Sequence, residues 1–190
     1  MPFLLRGARV LESLSSRTGH LLAWFTWAMV LLQSCVVVLR HLFDSGSIAL
    51  QESVIYLHGA AFMLGLAYAL QTDAHVRVDV FYRRMQPLGR AWVNALGALM
   101  FLLPVCAFIL AGSWQFAMNS WSVYEGSANA GGLPGVFFLK SLIPLAAVTL
   151  ALAGVAQFIR ALLELMEIPA PATRASAKPQ LLKQAEAVEA

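Results

Sequence analysis

Leu21–Leu39, Ser53–Leu70, Ala91–Gly112 and Ser141–Ile159 contain no Asp, Glu, Lys or Arg and stay apolar over 18 to 22 residues each. An α-helix rises about 1.5 Å per residue, so each stretch matches the roughly 20 residues that cross a hydrocarbon core of about 30 Å. They are too long and too uniformly apolar for barrel strands, which alternate apolar and polar positions over about ten residues. No water enters the bilayer core to satisfy backbone N–H and C=O groups, so helices remain the only spanning form. The pattern predicts an all-α integral membrane protein with four transmembrane helices occupying residues 20–165. A segment 1–19 precedes them and a tail 166–190 follows. The first apolar run continues through Val36, Val37, Val38 and Leu39, where a cleaved signal would turn polar, so it is expected to persist as a helix.

The flanking residues set the orientation. Eleven of the 13 Lys and Arg residues lie before the first span, between the second and third, or after the fourth; only Arg40 and Lys140 fall in the other two loops. The positive-inside rule then puts both termini in the cytoplasm and the loops Arg40–Glu52 and Ser113–Lys140 outside. In the first segment, Phe3, Leu4, Val10, Leu11 and Leu14 interleave with Arg6, Arg9 and Arg17, which fits either a short amphipathic surface helix or a frayed tail. From Pro169 onward the chain turns to Pro, Ala, Lys, Gln and Glu, with Pro169, Pro171 and Pro179 against a long helix, as in a flexible tail.

Composition narrows the function classes. With 59% hydrophobic and 12% charged residues and a mean hydropathy of +0.71, a soluble domain would carry more apolar surface than it could bury. The net charge of +3 is what cytoplasmic membrane loops produce, so no nucleic-acid partner is expected. Ionisable residues in membrane cores usually serve ions or substrates. Here the only imidazole in the four cores is His58, joined by the weakly polar Gln33, Asn94, Thr149 and Gln157. The chain alone holds little material for a proton relay or an ion path, and no catalytic, metal or cofactor site is expected in it. Four histidines leave open a haem or quinone anchor of an oxidoreductase, but they sit at different depths. A hydrogen-bonded His58 between helices is the other reading. A small homo-oligomeric exporter would want an acid in a helix core, and Glu52 at the rim is the nearest. Cys35 and Cys106 both fall in the outward halves of their helices, as a bridge or as packing thiols.

The helices do offer packing surface. Ala61, Gly65 and Ala69 recur every four residues beside His58 on the second span, and Ala147 and Ala151 begin a similar stripe on the fourth. Trp24, Trp27, Trp92, Trp114 and Trp121 cluster near span ends, as interfacial anchors do. Pro104 and Pro144 are candidate bends.

Two loops carry more information. In the inner one, Val78, Phe81, Tyr82 and Met85 fall at i, i+3, i+4 and i+7, and Asp79 and Arg83 pair at i, i+4. This fits a short interfacial helix ending before Pro87, with Arg83 and Arg84 meeting lipid phosphates, or a solvated basic turn. The outer loop carries Trp121, then Glu125-Gly126-Ser127 and Gly131-Gly132-Leu133-Pro134-Gly135, a turn-rich entry to the fourth span. Lys140 can snorkel outward, meet Glu52 or Glu125, or meet a partner's carboxylate.

Tyr56-Leu57-His58 followed by Asp73-Ala74-His75-Val76-Arg77-Val78-Asp79-Val80-Phe81-Tyr82 resembles the signature of the small membrane subunit (DctQ-type) of tripartite ATP-independent periplasmic (TRAP) transporters. Trp121, Glu125-Gly126-Ser127, Gly131 to Gly135, Phe138 to Pro144 and Gln157 are similar in kind to its second motif. The resemblance covers about Gly19 to Glu164. It implies a small scaffold subunit of a sodium-coupled importer in the bacterial inner membrane, anchoring a large multi-spanning subunit that binds sodium and carries an organic anion, often a carboxylate. A periplasmic solute-binding protein would deliver that anion. On this reading His75, Arg77, Val78, Asp79, Phe81, Tyr82, Arg83 and Arg84 contact lipid or the large subunit. Trp121, Glu125, Gly131, Gly132, Pro134 and Lys140 form an outer docking surface, and His58, Ala61, Gly65 and Ala69 pack helices.

Overall fold

The computed structural model describes residues 2–72, 74, 82 and 84–167, with backbone only for 2–20 and 167. The helices are α1 (Pro2–Leu42), α2 (Ile48–Gln71), α3 (Pro87–Gly97), α4 (Leu103–Ser122) and α5 (Val136–Glu167), with a π-helical turn, Ala98–Leu102, joining α3 to α4. No strand occurs among the described residues. Among the described residues four helical segments are long and apolar enough to cross a membrane: Leu21–Leu42, Ile48–Gln71, Pro87–Ser122 and Val136–Met166. Each runs past the charge-free stretch that marks it, because Arg40, Glu52, Arg90 and Lys140 lie on helical turns near the span ends. Residues 2–20 continue the first span as one unbroken helix instead of forming a separate surface element. Of the inner-loop helix expected over Val78–Met85, only Tyr82, Arg84 and Met85 lie within the described residues, and Tyr82 is helical.

Local chemistry fixes the element ends. Ser47 has extended backbone (φ −115°, ψ 115°), and its Oγ accepts the Leu50 N–H at 3.4 Å, capping α2. Pro87 opens α3, where its missing N–H costs nothing. α4 ends in a Schellman motif: the Tyr124 N–H returns to the Trp121 carbonyl at 3.2 Å and the Glu125 N–H to the Ser120 carbonyl at 3.1 Å. The left-handed position usually belongs to glycine but here is Tyr124, at φ 46°. Its ring lies edge-on to Phe137, 5.9 Å away, a contact that offsets the backbone cost of about 1–2 kcal/mol.

The last helix is the centre of the molecule. α5 packs against α1, α2, α3 and α4, whereas the α1–α2 hairpin and the third span meet principally through it. A third of the apolar window of α5 is buried, against 6% to 17% for the other spans. Among the described residues, ten of the fourteen buried apolar ones are alanines. Ala91, Ala95 and Ala98 line one face of the third span at i, i+4 and i+7, while α5 contributes Ala146, Ala147, Ala153, Ala156 and Ala161. Lipid tails are as apolar as leucine, so helices in a membrane gain by close backbone approach, which small side chains permit.

The bend expected at Pro104 takes a specific form. Proline has no N–H to bond the carbonyl four residues back. The π turn lies just upstream, and the Leu103 N–H bonds the Ala98 carbonyl five residues back. Gly154 of α5 faces this turn; a Cβ there would stand 2.7 Å from Leu102 Cδ2 and 3.3 Å from Leu102 Cγ. Pro144, by contrast, lies buried within an uninterrupted α5.

Gly154→Ile should therefore force the two helices apart and destabilise the detergent-solubilised protein by about 1–3 kcal/mol. Gly154→Ala should cost less, because only the flexible end of Leu102 must move. Thermal melts of the two variants against wild type check the order, and an unchanged melt for Gly154→Ile would contradict this packing.

Candidate docking surfaces at the two ends of the bundle

At the end of the bundle opposite Pro2 and Glu167, the loop after α4 is tied to the bundle through one carboxylate. Glu52 sits in the second turn of α2, beyond the Ser47 cap. Its Oε1 accepts from the Ser127 hydroxyl and from Asn129 Nδ2 at 3.2 Å, and its Oε2 accepts the Leu133 backbone N–H at 2.7 Å. The loop closes on itself through Ser127 N–H to the Leu133 carbonyl and Gly132 N–H to the Asn129 carbonyl, both 3.0 Å. Two glycines make this possible for different reasons. Gly131 adopts φ 78°, a left-handed backbone that side chains disfavour. Gly132 has no room for a Cβ, which would collide with the Ser127 side chain and stand 2.7 Å from Glu52 Oε1. Pro134 and Gly135 follow, the latter within 3.7 Å of the Tyr56 ring for an added Cβ.

A second tie joins the same loop to α5. Lys140 Nζ donates to Glu125 Oε2 at 2.5 Å and lies 4.3 Å from the Phe116 ring centroid. Of the partners open to Lys140 from the sequence, the structure selects Glu125. The bond from Lys140 holds the Glu125 carboxyl below its ordinary value of 4.5, and the nearby Ser120 hydroxyl adds to the effect. Trp121 Nε1 donates to Ser141 Oγ at 2.7 Å, with its ring edge-on to Phe137 and Phe138 at 4.6 and 5.4 Å. Trp121, Glu125, Gly131, Gly132, Pro134 and Lys140 are thus gathered at one end. Sequence reasoning missed Glu52 as the organising group and Ser127, Asn129 and Leu133 as its partners. The available signal was an acid at the rim of a span facing a loop of turn residues.

At the other end, Tyr82 and Asn94 bond each other, with Asn94 Nδ2 donating to the Tyr82 hydroxyl at 3.0 Å. Arg90 Nε donates to the carbonyls of Tyr82 and Met85, each at 3.1 Å, and its guanidinium lies 5.5 Å from the Tyr82 ring centroid. This fastens the turn before Pro87 to the third span. Arg84 is exposed. His75, Arg77, Val78, Asp79, Phe81 and Arg83 lie outside the described residues.

Within the spans, His58 is exposed and stacks with Phe62 of its own helix at 6.3 Å, so it is not placed between helices of this chain. Ala61, Gly65 and Ala69 are partly buried, and a Cβ on Gly65 would lie 3.9 Å from Leu22 of α1. The more fully buried small-residue stripe, Ala91, Ala95 and Ala98, escaped the sequence reading. Cys35 is exposed and Cys106 buried, both as free thiols. All five tryptophans expose at least a third of their surface.

Comparison with known proteins bears on both ends. The family described as tripartite ATP-independent periplasmic transporters, DctQ component, matches residues 29–164, which include both loops. A Haemophilus influenzae protein described as a TRAP transporter small permease protein is 34% identical over 109 residues, covering 56% of this chain and 65% of that protein. The C4-dicarboxylate TRAP transporter small permease protein DctQ of Vibrio cholerae is 27% identical over 109 residues, covering 57% of this chain and 47% of that one. The chain thus spans between about half and two thirds of the length of these relatives. No solved structure matches it.

Glu52→Gln would turn an amide N–H toward groups that themselves donate, so the loop should loosen. Hydrogen exchange at the Leu133 amide is expected to quicken severalfold, with exchange in the α5 core unchanged; equal protection in the variant would remove Glu52 from this role. The Lys140–Glu125 pair gives a pH dependence of definite sign. Because the folded carboxyl titrates below its ordinary value of 4.5, its contribution is whole above pH 4.5 and is lost as pH falls through the lowered value. Wild type should melt above Glu125→Gln at pH 7 and converge on it in acid; a gap that persists in acid would contradict the assignment.

Proposed function

Since the chain belongs to the DctQ-component family of tripartite ATP-independent periplasmic transporters, we propose that it is the small scaffold subunit of a sodium-coupled importer of an organic anion. The family match over residues 29–164, laid on four membrane-length helices, carries this reading. A large multi-spanning membrane subunit binds sodium and moves the anion; a periplasmic solute-binding protein delivers it. The small subunit anchors the large one and does not itself carry substrate. A carboxylate is the favoured cargo class, in keeping with the C4-dicarboxylate in the name of the Vibrio cholerae relative.

The distribution of polar groups supports a scaffold. All four spans are free of charge over 18 residues or more, so the chain offers a travelling ion little to bind. Its charged groups lie at the ends, where Glu52 and Glu125 hold the loop in one shape. Both termini face the cytoplasm of a bacterial inner membrane, following the eleven basic residues on that side. His75, Arg77, Asp79, Phe81 and Tyr82 fix the cytoplasmic loop against lipid or the large subunit, and the surface from Trp121 to Lys140 docks outside.

Co-expression with the large TRAP membrane subunit and purification in mild detergent should recover the two at equal stoichiometry. Proteoliposomes should take up anion only with both subunits, the solute-binding protein and a sodium gradient. Arg77→Ala and Asp79→Ala should each lower recovery or uptake severalfold. Transport by this chain alone, or no copurification, would overturn the proposal.

A further inference from the structure

The strongest unassigned feature is a groove on the membrane face of the α1–α2 hairpin, about 590 Å³ in volume and lined by Thr26, Val30, Gln33, Ser34 and Val37 of α1 with Val54 of α2, among others. Thr26, Gln33 and Ser34 are exposed, and at i, i+7 and i+8 they share one helical face. Gln33 lies twelve residues from Leu21 and nine from Leu42, the ends of the span. That is about 18 Å and about 14 Å along the axis at about 1.5 Å per residue, near mid-depth, where neither water nor headgroups reach a short amide. Ser34 settles its own donor by bonding the Val30 carbonyl at 2.8 Å. The Gln33 amide bonds nothing among the described residues, and an amide left alone in hydrocarbon is costly.

We infer that this groove seats a single transmembrane helix of the large partner subunit, which supplies a hydrogen-bonding group to Gln33 at mid-depth. The inference rests on the scaffold reading above and names the face that does the anchoring. Three features select this occupant. A lipid chain fills apolar volume but has no group to bond an amide. A second copy related by a two-fold axis through the groove would set concave against concave and leave it unfilled. A lone helix is convex, and the Val, Ser and Thr lining allows its backbone to come close.

The test uses the complex of full-length chain and large subunit, with a photo-crosslinking benzoylphenylalanine at Val30 in the groove or at Phe108, which is 80% exposed on the third span. Val30 should crosslink to the large subunit and Phe108 should not. Gln33→Leu, which suits lipid and should fold, is expected to lower recovery of the large subunit roughly three- to thirtyfold, the range of one interhelical hydrogen bond, while Gln33→Asn retains more of it. With the wild-type complex intact, a Val30 crosslink to a second copy, no Val30 crosslink, an equal Phe108 crosslink or full recovery with Gln33→Leu would each overturn the groove and leave the scaffold reading standing. Failure of the wild-type chains to copurify would overturn both.

Discussion

In hydrocarbon a polar group has no water to fall back on, and most of those described in this chain have either a partner within the protein or a place near a span end. Ser34, Ser53, Ser141 and Thr149 turn their hydroxyls onto carbonyls of their own helices. Asn94 pairs with Tyr82 near one end. The carboxylates of Glu52 and Glu125 collect loop donors and an ammonium at the other. Gln33 departs from this order, as does the exposed His58, and such a group carries more information than the many exposed leucines and phenylalanines around it. In a membrane an exposed apolar side chain is ordinary; an exposed amide at mid-depth is not.

The same medium explains what holds the helices together. Without a hydrophobic force between spans, the gain comes from contact at short range, and alanine faces bring backbones close. The cost is intolerance of small changes at the closest point. Gly154 meets the π turn that Pro104 imposes on the third span, so a defect in hydrogen bonding on one helix is matched by a missing side chain on its neighbour.

Much of the architecture was legible in the sequence because hydropathy reports it directly. A run such as Ala91–Gly112 without a charge has one spanning form. The motif residues from Trp121 to Lys140 could likewise be grouped, since they share one loop. What stayed hidden was relational. That α5 is central, and that Lys140 takes Glu125 while Glu52 takes the loop backbone, depends on which helices neighbour one another, and a charge-free span carries no label of its neighbours. His58 shows the same gap from the other side: its position in a span suggested an interhelical bond, but its helical face turns it outward. The π turn was readable only as a bend at Pro104, because periodicity does not say which carbonyl gives way.

The loop between α4 and α5 gains its significance from the central place of α5. The hairpin of α1 and α2 and the third span each rest on α5, so the two halves communicate chiefly through it. Glu52 stands on α2, while Ser127, Asn129 and Leu133 belong to the chain leaving α4, and Lys140 stands on α5. The loop therefore forms a second connection between the halves, made of polar bonds outside the hydrocarbon where the interior packing has none. Surface ion pairs contribute little singly. A carboxylate receiving three donors from one loop acts differently, because each bond restrains the same short segment. The bundle is thus clamped by contact along its length and by charge at one end, and a partner meeting that end meets a surface of fixed shape.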